Sequence, residues 1–265
     1  MPARITITAD DAAILPAIDD AIIDLLARGI ITHVAAFPNG SRFSALSHQV
    51  PQPSVLLPHI TLTYGMPLSD PEQLPLLLNE LGQFRQPLEF YWGNIELAIS
   101  EWFDTCLARC DAEAVARELQ RQCLHFQAIT GCPPGPVTFH HDIDEVASRL
   151  DKHGRASAIF TAGRTAEVGG DRSGGYLYRF LPAGITQTCA NELVAKLLND
   201  AITLSTRQSG RSVEAIFHPA SGTSLLAGFT SYALQRVQEY HALISSDVEE
   251  VLQQGRKVDG HYEFA

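Results

Sequence analysis

The sequence predicts an α/β fold in which a parallel sheet closes into a distorted (β/α), TIM-like barrel forming a single domain over residues 1–265. Short alternating apolar runs are followed repeatedly by segments whose apolar residues recur at helical spacing, which is typical of βα units. A length of 265 residues fits one such barrel. No GxGxxG follows the first strand and no GxxxxGK[ST] occurs, which disfavours an open nucleotide-binding sheet.

The first βα unit is the clearest. Residues 5–9, "ITITA", alternate like a strand, and apolar residues then recur at helical spacing from Ile14 to Leu26 until Gly29 ends the segment. A second strand is predicted over 31–37, and the turn "PNGS" after it precedes a short helical stretch. This strand–helix alternation sets the pattern for the rest of the chain.

Later elements follow the same alternation with one interruption. Strands are predicted at 56–63, 136–143, 156–162 and 213–219, and helices at 112–129, 144–152, 190–203, 231–242 and 246–254. The last two helices are expected to end the chain as a C-terminal pair around 231–254. The segment 66–110 contains four prolines and few clear periods, so we expect a loop-rich excursion over one barrel face.

Composition excludes several partner classes. The formal net charge is -11, and the 19 lysines and arginines are scattered rather than clustered. This distribution argues against a surface that binds nucleic acid or an anionic membrane. The five cysteines form no CxxC pair, so they are expected to be reduced thiols. With no secretory signal and no run of about 18 apolar residues, the protein is expected in the cytoplasm.

Four of the predicted strands carry polar, ligand-capable residues at or near their C-terminal ends. These residues are Asp10 and Asp11, His59, His140 and His141, and His218. A single histidine of this kind is more often an ordinary structural residue. In parallel α/β folds, however, the carboxyl ends of the strands meet at one edge, where active sites assemble. Four such strand ends together favour a functional site at that edge.

A carboxylate and two imidazoles are typical ligands of a divalent metal used in hydrolysis. Such a set leaves coordination positions open for water and substrate. A metal would also explain why Asp10 and Asp11 are adjacent, since like charges side by side repel each other. One aspartate would bind the ion, and its neighbour would be able to accept a proton from water. The donor set does not choose between magnesium and zinc, although two imidazoles favour zinc.

Six stretches in order resemble the YdjC-like carbohydrate deacetylases, whose best understood members act on chitooligosaccharides. The stretches are "ITITADD", "RGIITHVAAFPNG", "PHITLTYGMPLS", "GCPPGPVTFHHD", "EAIFHPA" and "RVQEYHALISSDVEEVLQQGRKVDGHY". The resemblance implies a distorted barrel and a divalent-metal hydrolase that removes acetyl groups from small N-acetylated sugars or oligosaccharides. It also makes a homodimer plausible.

The resemblance implies roles for individual residues. Asp11, His59 and His140 correspond to the family's metal ligands, and a shift of one residue in the third motif would make His141 a ligand or a neighbour of one. Asp10 corresponds to the catalytic base. His218 of "HPA" corresponds to the histidine that protonates or steers the departing amine.

The sequence departs from the family pattern next to two of these motifs. Ala12 and Ala13 follow the aspartates where the family usually has Phe-Gly. In the third motif, Pro136 and Thr138 stand where the family has His and Asp, and Asp142 replaces a histidine. Because residues beside metal ligands orient them, these changes are expected to affect metal affinity or activity.

Three functional hypotheses follow. The leading one is a metal-dependent carbohydrate deacetylase, an amidohydrolase. The second is a catalytically weakened carbohydrate-binding or regulatory protein on the same scaffold, motivated by the altered motifs. The third keeps the metal but cleaves a phosphoester, which the scarcity of basic residues near the motifs makes less attractive.

Overall fold

The computed structural model describes residues 1–87, 95–133, 137–143, 175–226, 230–258 and 260–265. The predicted helix at 144–152 and strand at 156–162 lie outside these residues. The chain divides into two compact units. The first comprises residues 1–36, 42–56 and 169–265, and the second comprises residues 37–41 and 57–168.

The described strands and helices are numbered in chain order. The strands are β1 Ala3–Ala12, β2 His33–Ala36, β3 Leu56–Ile60, β4 Thr138–Phe139, β5 Tyr176–Leu177, β6 Ser212–Phe217, β7 Gly255–Val258 and β8 His261–Phe264. The helices are α1 Pro16–Ala27, α2 Phe43–Gln49, α3 Ile95–Thr105, α4 Ala112–Thr130, α5 Gln187–Arg207, α6 Ala233–Leu243 and α7 Ser246–Gln253. None of these described helices is both long and apolar enough to cross a membrane.

The first unit is built on a mainly parallel sheet. Strand β1 pairs in parallel with β2 on one side and with β6 on the other, and β6 pairs in parallel with β5. Alternate residues of β1, among them Ile5 and Ile7, are fully buried, as expected for a strand covered by helices. The parallel α/β architecture is therefore confirmed, and closure of the strands into a barrel stays a prediction.

The chain does not end with helices, as the sequence pattern suggested. Strands β7 and β8 form an antiparallel hairpin, and β8 pairs with the start of β1, where Ala3 lies opposite Phe264. The hairpin turn contains Gly260 at φ 83°, a conformation that glycine adopts without strain. Its strands carry exposed charged side chains such as Arg256, so their pattern lacks a strong apolar alternation.

Helix ends in both units follow ordinary capping rules. Helix α1 begins with Pro16, whose fixed φ suits the first turn, and Gly29 at φ 73° follows the helix. Helix α4 begins after Asp111, whose side chain accepts a hydrogen bond from the N–H of Glu113, and ends at Gly131 in the left-handed conformation. These local signals explain why the positions of both helices were predictable.

The second unit contains the parallel pair β3–β4 and the helices α3 and α4. Helix α3 lies inside the segment 66–110 that was expected to be loop-rich, so that segment is more ordered than predicted. The helix contributes Trp102 and Phe103 to a buried apolar cluster. The buried residues of α3 recur at helical spacing: Ala98, Ile99, Trp102 and Phe103. This pattern is short and follows a proline-rich stretch, so the sequence did not reveal it as a helix.

The strand predicted over 136–143 is shorter in the structure. Strand β4 covers only Thr138–Phe139, and a single 3-10 turn follows over His140–Asp142. His141 has φ 61° within this turn. A left-handed residue cannot continue a strand, so the chain turns at the two histidines.

Candidate active site

Strand β1 ends in a β-bulge that contains both aspartates. Ala9 lies opposite Val34 of β2, whereas Ala12 lies opposite Ala36, so β1 has one extra residue between these pairs. Asp11 has φ 68°. A bulge interrupts the regular alternation by which successive side chains of a strand point to opposite faces, and so changes the direction of the side chains beside it. Two consecutive carboxylates, Asp10 and Asp11, are thereby both accommodated in buried positions.

The backbone after the bulge is fixed by a buried carboxylate of α1. Asp19 accepts a hydrogen bond from the N–H of Ala13 at 2.8 Å and another from Nε of Arg42 at 2.6 Å. The N–H of Arg42 in turn donates to the carbonyl oxygen of Ala13 at 3.3 Å. Burial raises the pKa of Asp19, while the bonds from Ala13 and Arg42 act in the opposite direction. Asp19 thus holds the loop that carries the aspartates.

Asp11, His59 and His140 form a group that could bind a metal. All three residues are buried, and each offers a side-chain atom of a kind that binds divalent metals. A carboxylate and two imidazoles fit zinc and also other divalent ions.

The two imidazoles of this group are held by neighbours in their own unit. His59 Nδ1 lies 2.5 Å from the hydroxyl oxygen of Thr138. The ring of Phe37 contacts His59 and His140 edge-on, with both centroid distances at 4.9 Å. A hydrogen bond from Nδ1–H to Thr138 would leave the lone pair on Nε2, the form of histidine that binds a metal. Thr138 therefore occupies a supporting position although it departs from the family pattern.

His141 lies beside the group. Its ring stacks on that of His140 at a centroid distance of 3.8 Å, and its Nδ1 is 3.3 Å from the hydroxyl of Thr63. Its role, as a residue that orients a metal ligand or as an alternative ligand itself, stays a prediction.

Arg236 is a residue of this region to which the sequence assigned no role. Its Nη2 donates to Oδ2 of Asp11 at 2.5 Å, and both side chains are buried. Arg236 belongs to α6, which the sequence treated as an ordinary amphipathic helix. Nothing local in the sequence distinguishes Arg236 from a charged residue on the solvent face of an amphipathic helix.

Glu239 connects α6 to the strand end that carries His218. Its carboxylate accepts hydrogen bonds from the backbone N–H of His218 at 2.5 Å and from the hydroxyl of Tyr232 at 2.6 Å. Burial raises the pKa of Glu239 to about 7, although both hydrogen bonds and the nearby Arg236 lower it. The carboxylate fixes the backbone at His218.

Asp10 and His218 occupy corresponding positions on adjacent strands. Ala9 of β1 lies directly opposite Phe217 of β6. Asp10 follows Ala9 in the sequence, and His218 follows Phe217. Both therefore leave the sheet at the same edge, as the sequence predicted for strand-end residues. Their catalytic roles stay predictions.

The sequence model of the YdjC-like protein family matches residues 4–254. This chain belongs to the YdjC-like family. The YdjC-like chain is 25% identical over 281 residues to a carbohydrate deacetylase of Enterococcus faecalis, a match that covers 98% of this chain and 97% of the relative. It is 27% identical over 146 residues to a chitooligosaccharide deacetylase of Serratia marcescens, covering 54% of this chain and 51% of the relative.

A solved structure from Enterococcus faecalis has a similar fold. It is that of a candidate cellobiose-phosphate cleavage protein, and it aligns with a TM-score of 0.67 at 22% identity over 96% of this YdjC-like chain and 95% of its own. At this identity the likeness supports the fold alone. The α/β architecture described above is therefore shared with a crystal structure.

Proposed function

We propose that this protein is a carbohydrate deacetylase that uses one divalent metal ion, magnesium or zinc, held by Asp11, His59 and His140. The observation that carries the proposal is the buried carboxylate–imidazole–imidazole group. It occurs in a YdjC-like chain whose full-length relative is named a carbohydrate deacetylase. The substrate would be a small N-acetylated sugar or oligosaccharide.

The chain offers a residue for each proton transfer in amide hydrolysis. When bound, the ion would polarise the acetamide carbonyl and lower the pKa of a water molecule. Asp10, next to the ligand Asp11, would accept the proton of the attacking water. His218 would donate a proton to the nitrogen as the carbon–nitrogen bond breaks, so that acetate and a free amine are formed.

Glu239 and Arg236 would position the reacting groups rather than react. The bond from the N–H of His218 to Glu239 fixes the chain that carries the proposed acid. The ion pair with Arg236 restrains one oxygen of Asp11. Such supporting contacts reduce the reorganisation needed during the reaction.

The cytoplasm is the proposed location. The sequence has five cysteines, an odd number with no CxxC pair, which favours reduced thiols in a reducing compartment.

Metal analysis of purified protein tests the proposed site. The parent protein should bind close to one equivalent of zinc or magnesium, and Asp11→Asn and His140→Ala should lose it. His48→Ala is a suitable control, because this exposed histidine lies on α2, with its Nδ1 2.6 Å from the carbonyl oxygen of Ser44 in the same helix. Retention of full metal content in both site variants would contradict the ligand assignment.

Acetate release tests the proposed chemistry. The parent protein should release acetate from N-acetylated sugars, and Asp10→Asn should keep the metal while losing most turnover. If metal and sugar bind but no acetate appears, the protein is instead a carbohydrate-binding protein on the deacetylase scaffold. Release of phosphate rather than acetate would favour a phosphoester hydrolase.

A further inference from the structure

Three aromatic side chains form a row along β5 and the residues that follow it. They are Tyr176, Tyr178 and Phe180, at alternate positions beginning on β5. The rings of Tyr176 and Tyr178 stack at a centroid distance of 6.2 Å, and those of Tyr178 and Phe180 meet edge-on at 5.3 Å. Because each ring contacts the next, the three side chains make a continuous aromatic row.

The row ends at the proposed catalytic acid. The ring of Phe180 lies 5.5 Å from that of His218 and 5.1 Å from that of Tyr232. The hydroxyl of Tyr232 makes two hydrogen bonds, each of 2.6 Å. It accepts one from the N–H of Leu181 and donates one to Glu239. The end of the row nearest His218 is therefore tied to the carboxylate that fixes the backbone of His218.

The middle and the end of the row are exposed to solvent. Tyr178 has 43% and Phe180 has 50% of its surface accessible, whereas the next residue, Leu181, is buried. Exposing adjacent aromatic rings to water is unfavourable, and such patches commonly mark binding sites. A ring held in place by its neighbours also loses little conformational entropy on binding.

A sugar ring has the chemistry to cover this row. One face of a pyranose presents C–H groups that pack on an aromatic face, while its rim of hydroxyls stays hydrated or bonds to polar groups such as a tyrosine hydroxyl. The proximity of Phe180 to His218 places such a ring next to the position at which an amine would leave.

We propose that Tyr178 and Phe180 form a stacking subsite for the sugar unit adjoining the one that is deacetylated. This inference rests on the proposed function for the identity of the ligand.

Sugar binding in the absence of turnover tests the subsite. The tetramer of β-1,4-linked N-acetylglucosamine is titrated calorimetrically into the full chain after treatment with EDTA, so that no hydrolysis occurs. Loss of the stacking ring in Tyr178→Ala should weaken binding of the tetramer about tenfold, and Tyr178→Phe, which keeps the ring, should bind like the parent. Tyr178 is chosen because the ring contacts of Phe180 with His218 make a change at Phe180 harder to interpret.

A matched control removes an exposed apolar side chain elsewhere. Leu124→Ala changes a residue that is 57% exposed on α4, and it should leave tetramer binding unchanged. The subsite is refuted if the parent does not bind the tetramer, if Tyr178→Ala binds it as the parent does, or if Leu124→Ala weakens binding equally. Circular dichroism confirms that each variant is folded.

Acetate release with metal restored separates this inference from the proposed function. If the tetramer binds through Tyr178 but no acetate is released, the subsite is supported and the proposed deacetylase activity fails. If acetate is released from the tetramer and Tyr178→Ala has the affinity of the parent, the proposed activity stands and the subsite is wrong.

Discussion

Arg236 and Asp11, which are 225 residues apart in the sequence, form a buried ion pair in which Nη2 of the guanidinium lies 2.5 Å from Oδ2 of the carboxylate. Glu239 lies one helical turn further along α6, and its carboxyl group interacts electrostatically with both Arg236 and Asp11. Two carboxylates and one cation therefore share a buried region of the first unit. Removing the cation leaves two acidic groups without their main source of positive potential.

Arg236→Ala should accordingly lower the free energy of unfolding by about 3–5 kcal/mol, because a buried carboxylate loses its partner. Urea denaturation monitored by circular dichroism measures the effect. Arg28→Ala provides the comparison, since Arg28 pairs with Asp24 on an exposed part of α1 and its removal should change stability little. Equal losses in the two variants would show that the buried pair contributes no more than the surface pair.

Ala13 should carry measurable backbone strain. It has φ 75°, where an L-residue is disfavoured by about 1–2 kcal/mol, while Ala12 beside it is part of β1. Ala12→Gly and Ala13→Gly each remove one fully buried methyl group, so the cost of the lost methyl is similar in both. Ala13→Gly should therefore be less destabilising than Ala12→Gly by about 1–2 kcal/mol.

Thermal or urea unfolding of the two glycine variants measures this difference. The hydrogen bonds of the Ala13 backbone to Asp19 and Arg42 do not depend on a side chain and remain available in the glycine variant. If Ala13→Gly were as destabilising as Ala12→Gly, the left-handed conformation would carry no cost in this loop.

Glu239 should make stability depend on pH. Its pKa is raised from 4.5 to about 7 by burial, so the folded protein retains a proton that the unfolded chain has released. The stabilising contribution is full below about pH 4.5 and is lost as the pH rises through about 7. The free energy of unfolding of the parent should therefore fall more steeply between about pH 5 and 7.5 than that of Glu239→Gln.

Denaturation curves across this pH range, recorded with EDTA present, measure the two slopes. Chelation removes the contribution of any ion bound at Asp11. Because the two proteins differ only at residue 239, the difference between the slopes reports on Glu239. Parallel slopes would mean that Glu239 has the same pKa in the folded and unfolded states.

Thr138 should support metal binding through His59. Thr138→Val removes the hydroxyl that lies 2.5 Å from Nδ1 of His59. Without this hydrogen-bond partner the imidazole is less well oriented, and metal affinity should fall by about 10–100-fold. Competition with a zinc chelator measures the affinity. Thr63→Val removes the corresponding contact to His141 and should have a smaller effect. A larger effect at Thr63 would favour His141 as the ligand.

Trp102 should be essential to the stability of the second unit. It is fully buried on α3, and Trp102→Ala should cost about 3–5 kcal/mol of unfolding free energy. Leu97→Ala on the same helix removes a side chain that is 50% exposed and should cost much less. Similar results for both variants would contradict the packing of α3 against the apolar cluster.

Local periodicity accounts for the parts of the fold that the sequence predicted. Strand β1 and helix α1 are defined by apolar spacing and by Pro16 and Gly29, all within one short segment. The hairpin β7–β8 was missed because its pairing with Ala3 depends on residues at the other end of the chain. Strand β5 was missed because two residues are too few to show a period.

The candidate site was predictable to a similar extent. Asp11, His59 and His140 could be proposed because each lies at or near the C-terminal end of a predicted strand, and strand ends converge in a parallel sheet. Arg236 could not, because a charged residue on an amphipathic helix normally faces solvent and nothing local distinguishes a buried one. The left-handed conformations at Asp11 and His141 were equally invisible, since both depend on contacts made after the chain has folded.

The pairing of β8 with β1 has a consequence for the order in which the chain folds during synthesis. Residues 3–5 are synthesised long before their partners at 262–264. Contacts of such large sequence separation form slowly, because a long loop must close before they can contribute. The partner strand β6 and the helix that carries Arg236 also lie far along the chain from β1, so the edge that bears Asp10 and Asp11 is completed only after both have been synthesised.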